Sequence, residues 1–241
     1  MKKLVFAEKV LIGLSDVGDG DMQDLHKTDA KVVAKVRENQ RKFFAKLNLK
    51  LENVVRVRVN YDAENFCRYG EVDAGDAGGG ILPDKAILAA DSLATRVKDL
   101  GLFLPLADCL GVVIFDPTSE VLCVAHLGRH ATEQFGARKT VEFLSRRFDS
   151  KPENLRIWLS PAAGQRNYPL FKFDNKSLRE VNMAQFLAAG ISRENISGEE
   201  IDTTSSRDYF SHSWVLKLAE KSGVKLKLED NPRFAIVAKI I

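Results

Sequence analysis

Hydrophobic and polar positions along the chain change period several times. Residues 3–7 and 10–14 are two short apolar runs, the expected form of adjacent strands. From Thr28 onward Val32, Val33, Val36, Phe43, Phe44 and Leu47 recur at helical spacing, with Thr28 or Asp29 as the N-cap. Residues 54–60 alternate apolar and polar and predict a half-buried strand. Apolar runs at 86–90, 102–105, 110–115 and 121–126 predict four more strands, with a tight turn at Asp116-Pro117-Thr118-Ser119. A helix follows over 130–148, on which Phe135, Val141, Leu144 and Phe148 lie close to one face. A strand at 155–159, a helix over 175–189 ending at Gly190, a short strand near 198–202, a helix near 214–222 and a last strand at 234–240 complete the pattern.

Two glycine-rich stretches interrupt these elements. Gly18–Asp24 reads as a loop. The run from Gly70 to Asp84 has no GxGxxG entering a helix and meets Pro83, so a mobile surface loop is preferred to an anion-binding nest. With strands and helices interspersed, no linker and no internal repeat, the expected fold is one α/β domain over residues 1–241, a layered sandwich with a mixed sheet flanked by helices.

Composition narrows the classes. Among 241 residues, 36 Lys+Arg face 33 Asp+Glu for a net charge of +3, and 45% of residues are hydrophobic. That excludes disordered, collagenous and disulfide-scaffold proteins. The positive excess is spread out, which predicts no nucleic-acid partner and fits a small phosphorylated ligand equally well. The two lysines before the first apolar run resemble a signal peptide, but Glu8 and Lys9 interrupt it, so strands are expected there. No apolar segment is long enough to span a membrane, and no membrane partner is expected. The three cysteines, Cys67, Cys109 and Cys123, are irregularly spaced, as expected of free thiols in a reducing cytoplasm.

Candidate chemistry begins with Cys109, where a loop enters an apolar strand. A buried cysteine is ordinarily a small hydrophobe, but Asp108 beside it is out of place in a core unless the strand opens into a site. His126 ends another apolar strand and is followed by Gly128 and a helix. It is either held by backbone hydrogen bonds or functional. Arg129 and His130, at the start of that helix, either bind phosphate or a carboxylate or form a solvated cap. Cys123 lies three residues before His126 and so points to the opposite face. Cys67 is on a loop and is read as an inert or exposed thiol. No local zinc spacing is present.

Together these segments resemble the YfiH-like laccase-domain family, also labelled multicopper polyphenol oxidase or purine-nucleoside-phosphorylase-like. The resemblance runs from about Glu38 to the C-terminus. The helix sequence ENQRKFFAKLNL is similar to the family's Asn-Arg-rich helix. Asp91-Ser92-Leu93-Ala94-Thr95 is similar to Asp-Ala-Leu-Val-Thr, Ala107-Asp108-Cys109 to Ala-Asp-Cys, and Ala125-His126-Leu127-Gly128 to the start of Ala-His-Ala-Gly-Trp-Arg-Gly. Ser160-Pro161-Ala162-Ala163-Gly164 with Tyr168, Asp202 with Thr204, Tyr209-Phe210-Ser211 and Arg233-Phe234-Ala235 follow in the family's order. The family's Gln-Val-His-Gly falls on Arg58-Val59-Asn60-Tyr61, so Asn60 stands where a histidine is expected. His212-Ser213-Trp214 replaces Tyr-Arg-Arg, and the cysteines after Pro161-Ala162 are missing.

The resemblance implies an enzyme acting on purine nucleosides, by phosphorolysis of the N-glycosidic bond or adenosine deamination, with phosphate as co-substrate. It also implies zinc, or copper, held by Cys109, His126 and a third ligand, for which His212 or His130 is the candidate in place of Asn60. Asn60 and Asp108 complete the expected catalytic group, and Arg129, His130, Ser211 and His212 the expected substrate- and phosphate-binding group. The expected partner is the nucleoside alone, on a monomer or weak homodimer. Two rivals remain: a metal-free cysteine hydrolase in which Asp108 or Asn60 orients His126 behind Cys109, and a non-catalytic purine binder. Four histidines cannot build the several copper sites of a multicopper oxidase.

Overall fold

The computed structural model describes residues 1–86, 88–225 and 230–241. The expected strand at 86–90 includes residue 87, which lies outside the described residues. On either side of that gap the only pairing is an isolated bridge of Ala89 to Arg58. The remaining runs form two sheets where one was expected. The first is ordered β1 (Lys2–Phe6), β2 (Val10–Leu14), β11 (Phe234–Ile240), β6 (Gly101–Leu106) and β3 (Val54–Arg56). The second is ordered β10 (Ile196–Gly198), β9 (Arg156–Leu159), β7 (Leu110–Asp116), β8 (Val121–Leu127), β5 (Ser92–Thr95) and β4 (Tyr69–Glu71). Both are mixed: β3 runs parallel to β6, β10 to β9 and β4 to β5, and the other pairs are antiparallel.

Their central strands are apolar on both faces because each face meets a different core. In β6, Leu102, Leu104 and Leu106 enter the layer between the sheets while Phe103 points outward. In β11, Phe234, Ile236, Ala238 and Ile240 point inward and Ala235 and Val237 outward. The outward set packs on α1 (Ala30–Ala45), through Phe43 and Phe44, and on Leu47 just beyond it. Asp29 is the N-cap, its carboxylate accepting from the amides of Lys31 and Val32. In the second sheet Leu122 and Val124 face the first sheet, whereas Cys123, Ala125 and Leu127 face the helices α3 (Gly136–Phe148) and α4 (Leu178–Ala188). Layers therefore run α1, first sheet, second sheet, helices, and the strand period of two places His126 on the side opposite Cys123, as expected.

Three other expectations change. The helix expected over 130–148 is two: α2 (Arg129–Glu133) and α3 (Gly136–Phe148), divided where Phe135 adopts φ 62°. The alternation over 54–60 does not give a half-buried strand. Regular pairing stops at Arg56, and Arg56 is buried beneath α1's layer, its Nη2 2.6 Å from Asp24 Oδ1. The Gly70–Asp84 loop is strapped to that strand: Gly78 N donates to Val54 O at 3.1 Å and Arg56 N to Gly79 O at 2.9 Å. The helix expected over 175–189 is α4 (Leu178–Ala188), followed by Gly190 at φ 92°, and the next is α5 (His212–Ser222).

Among the described residues no helix is long and apolar enough to cross a membrane.

One buried carboxylate, Asp91, fastens the segment after β3 to the second sheet. It accepts from Arg68 N at 2.9 Å, Nε at 2.8 Å and Nη2 at 3.0 Å, and Arg68 Nη2 also reaches Asn60 O at 3.2 Å. Asp91→Ala leaves a charged guanidinium and an amide short of their acceptor. Urea unfolding should show a loss of about 2–4 kcal/mol; a loss below about 0.5 kcal/mol would mean that the pair holds nothing in place.

Candidate functional site

The ends of β3, β6 and β8 and the starts of β7 and β11 come together at one edge of the sandwich. The chain crosses from the first sheet to the second between β6 and β7, through Ala107, Asp108 and Cys109. Asp108 turns the corner at φ 75°, a left-handed conformation that Asp tolerates better than most residues. Its carboxylate is buried and fully engaged. Oδ1 accepts from Thr203 Oγ1 at 2.8 Å and Oδ2 from Ser213 N at 2.6 Å, in the first turn of α5, while its carbonyl accepts from Ala163 N at 2.8 Å. Asp108 therefore anchors the turn and the start of α5. It does not orient the imidazole of His126, which corrects its expected catalytic role.

The turn delivers Cys109 to His126. A β-carbon placed on Gly128 would lie 2.9 Å from Cys109 Sγ and 2.9 Å from His126 Cε1, so sulfur and imidazole meet over that glycine. His126 is nearly buried, with its amide donating to Asp91 O at 2.8 Å, and Cys109 is half-buried. Both line a cleft of two joined lobes. In the smaller lobe Tyr61 meets His126 edge-on at 6.3 Å and Phe66 stacks on His130 at 4.5 Å. The Arg129 guanidinium lies 4.5 Å from the Tyr168 ring centre. His212 is on the same wall, its Nδ1 2.6 Å from Asn231 Nδ2.

Burial sets the charge state of the pair. It pushes the Cys109 thiol up to about 11, with Asp108 adding to the rise and Arg233 and Arg129 partly opposing it. It also pushes His126 down to about 4, against the pull of Asp91 and with that of Arg233. His212 is lowered as well, first by burial and then by Arg233. At neutral pH the pair is a thiol and a neutral imidazole.

Asn60 lines the larger lobe with Cys109 and His126, but its Oδ1 accepts from Asp62 N at 3.0 Å within its own turn. Ser211 does not line the cleft. It is the N-cap of α5, its Oγ accepting from Trp214 N at 3.1 Å, and its expected binding role gives way to that. Cys67 is on the expected loop, but it is buried rather than exposed, with Sγ 3.8 Å from Gln134 O. The expected metal set is not assembled: among the described residues no three His, Cys, Asp or Glu side chains gather where they could hold an ion. His130 lies against Phe66 and His212 is bonded through Nδ1 to Asn231, and neither gathers with Cys109 and His126, which stay two donors, short of the three protein ligands of a catalytic zinc site. The donor set does not fit the metal that the resemblance implies.

Several residues of the cleft were given no role in the sequence. Arg233 borders both lobes and is pinned by the Gly/Asp-rich loop: its amide donates to Asp21 Oδ1 at 2.9 Å, and its carbonyl accepts from Met22 N at 2.9 Å. Asn231 and Tyr61 also line both lobes. Asn231 had no sequence signal but its position just before the last strand, and Tyr61 and Arg233 only their places in the quoted segments.

The chain belongs to the family described as multi-copper polyphenol oxidoreductase laccase, whose model matches residues 22–173. Its fold is that of the hypothetical protein YfiH from Bacillus licheniformis, with a TM-score of 0.79 at 22% identity over 96% of this chain and 93% of that one. YlmD from Geobacillus stearothermophilus superposes with a TM-score of 0.79 at 21% identity, over 96% and 92% of the two chains. Neisseria meningitidis NMB0706 gives 0.67 at 13% identity over 99% and 98%. No curated protein matches the chain.

The neutral state of His126 makes an acid-side prediction. Its folded pKa near 4 lies below the ordinary value of 6.5, so the unfolded chain binds the extra proton between those two pH values. Its contribution to stability is complete above pH 6.5, is lost as pH falls towards 4, and amounts to about 3 kcal/mol. Urea unfolding of wild type and His126→Gln across that window should show the steeper loss in wild type; parallel curves would mean that the imidazole is not held neutral.

Proposed function

We propose that the chain is an enzyme acting on purine nucleosides, cleaving the N-glycosidic bond with phosphate or removing the adenosine amino group. The observation that carries this is the meeting of the Cys109 sulfur and the His126 imidazole over Gly128, in an open cleft edged by aromatic rings and arginines. Tyr61, Phe66 and Tyr168 offer flat faces to a purine. Arg129, beside Tyr168, is the cation for orthophosphate, through charge-assisted hydrogen bonds.

No step runs through a metal, because the donors for one are not gathered. In phosphorolysis a phosphate oxygen bonds to C1′ as the C1′–N9 bond breaks, and the proton that orthophosphate loses ends on the departing base; in deamination water adds at C6, the C6–N bond breaks and the water's proton leaves with ammonia. The Cys109 thiol, which keeps its proton, donates a hydrogen bond to the reacting nucleoside, and the neutral His126 imidazole accepts one from phosphate or water and so orients it. The cysteine-hydrolase alternative needs the proton to pass from sulfur to imidazole, and with the thiol near 11 and the imidazole near 4 it stays on sulfur. The binding-only alternative draws support from Asn60 in the place of a histidine.

Chromatography of inosine or adenosine incubated with the protein and phosphate should show free base or ammonia. Cys109→Ala and His126→Ala should each lower the rate by about 100-fold or more. Thermal stabilisation by the nucleosides without any product would leave the binding-only reading instead.

A further inference from the structure

The cleft continues past the Cys109–His126 pair into its larger lobe, a cavity of about 400 Å³. Beyond the shared Tyr61, Cys109 and His126, nothing in the proposed chemistry uses the residues of this lobe. Three arginines line it: Arg56, Arg58 and Arg233. Arg56 is only 1% exposed, and among the described residues its Nε and Nη1 have no hydrogen-bond partner. Its one counter-ion is shared. Asp24 Oδ1 pairs with Arg56 Nη2, while Asp24 Oδ2 lies 3.5 Å from Arg37 Nε. Arg58 is exposed at the rim, and Asp62, itself exposed, is the one acid on the lining.

A buried guanidinium with unmade hydrogen bonds is costly unless an acceptor reaches it. An anion bearing several oxygens answers that need, and a phosphate matches the fork of an arginine. The same walls carry the opposite polarity too. Among the described residues Gln23 Oε1 and Asn231 Oδ1 are buried acceptors without a donor, and both residues line the lobe. They call for hydroxyl or amine hydrogens on the ligand. Phosphate oxygens and sugar hydroxyls together describe a sugar phosphate. Arg129, with Tyr168, stands in the other lobe, so two phosphate positions flank the sulfur and the imidazole.

We infer that the larger lobe receives a phosphate ester, so that the preferred ligand of the cleft is a purine nucleoside monophosphate rather than the free nucleoside. This rests on the nucleoside reading above and narrows it. The ester oxygens answer the unmade hydrogen bonds of Arg56 at the back of the lobe, Arg58 and Arg233 bind the ester from the rim, and Gln23 and Asn231 take the sugar hydroxyls. The nucleoside then lies across the Cys109–His126 pair, with orthophosphate on the Arg129 side.

Calorimetric titration of wild type and Arg58→Ala with adenosine, its 5′- and 3′-monophosphates and orthophosphate tests this. Arg58 is exposed, so the variant keeps the fold. One of the monophosphates should bind wild type at least about tenfold more tightly than adenosine, and Arg58→Ala should shrink that ratio to about threefold or less. Equal affinities in wild type, a ratio unchanged in the variant, or an Arg58-dependent site for orthophosphate without any advantage of the esters would each overturn the inference. Base or ammonia release, followed in the same samples, separates the two levels. Turnover of adenosine without preference for its esters sinks the lobe's assignment and leaves the nucleoside chemistry standing. An Arg58-dependent ester preference without product keeps the lobe and sinks the chemistry.

Discussion

The buried carboxylate of Asp108 is the constraint on which the rest of the site depends. At this residue the chain leaves one sheet for the other, in a left-handed turn that a bulky side chain would resist. Its two oxygens are bonded to Thr203 and to the first turn of α5, residues far along the chain. One group thereby sets where Cys109 emerges and where α5 begins, and so where His212 and the Cys109 sulfur stand relative to each other. Removing the charge would leave a hydroxyl and a helix-terminal amide unanswered inside the protein, and the turn would lose the contacts that hold its strained backbone.

Around that turn the cleft is built by a division of labour between neutral and charged groups. The Cys109–His126 pair is desolvated and uncharged, since burial acts on a thiol and an imidazole in opposite directions but towards the same neutral state. The cations sit to either side, Arg129 against an aromatic ring and Arg233 on the loop before β11. The nearby carboxylates Asp91 and Asp108 are consumed by structural bonds to Arg68, Thr203 and Ser213. Such a site favours an anionic ligand through its field and presents hydrogen-bonding groups, rather than charges, at its centre.

Much of this was legible in the residues, for identifiable reasons. Strands β7, β8 and β11 were visible because uninterrupted apolar runs bounded by turns have few other solutions. That same lack of alternation hid the second sheet, since strands covered on both faces do not say which neighbours cover them. The break before α3 was hidden because Phe135 carries no signal for a positive φ. Arg56 read as a solvent-facing residue because its partner, Asp24, lies in a loop that only tertiary structure brings beneath α1. Cys109 and His126 stood out by chemistry. Arg233 and Asn231 did not, because their relevance comes from β11 lying in the middle of the first sheet. A third ligand could not be read from spacing, because it depends on tertiary placement: His212 is bonded through Nδ1 to Asn231, His130 lies against Phe66, and among the described residues neither gathers with Cys109 and His126.

Sulfur and imidazole stand here as a neutral pair, with no third metal donor beside them among the described residues. Nitrogen-15 NMR of the histidine side chains in metal-free protein at neutral pH, with zinc added stepwise to one equivalent, tests it most directly. His126 should be neutral from the start, and His126 and His212 should not shift together to a stoichiometric end point. Joint, saturating shifts of His126 with His212 or His130 at one equivalent would reveal a three-ligand centre and contradict it.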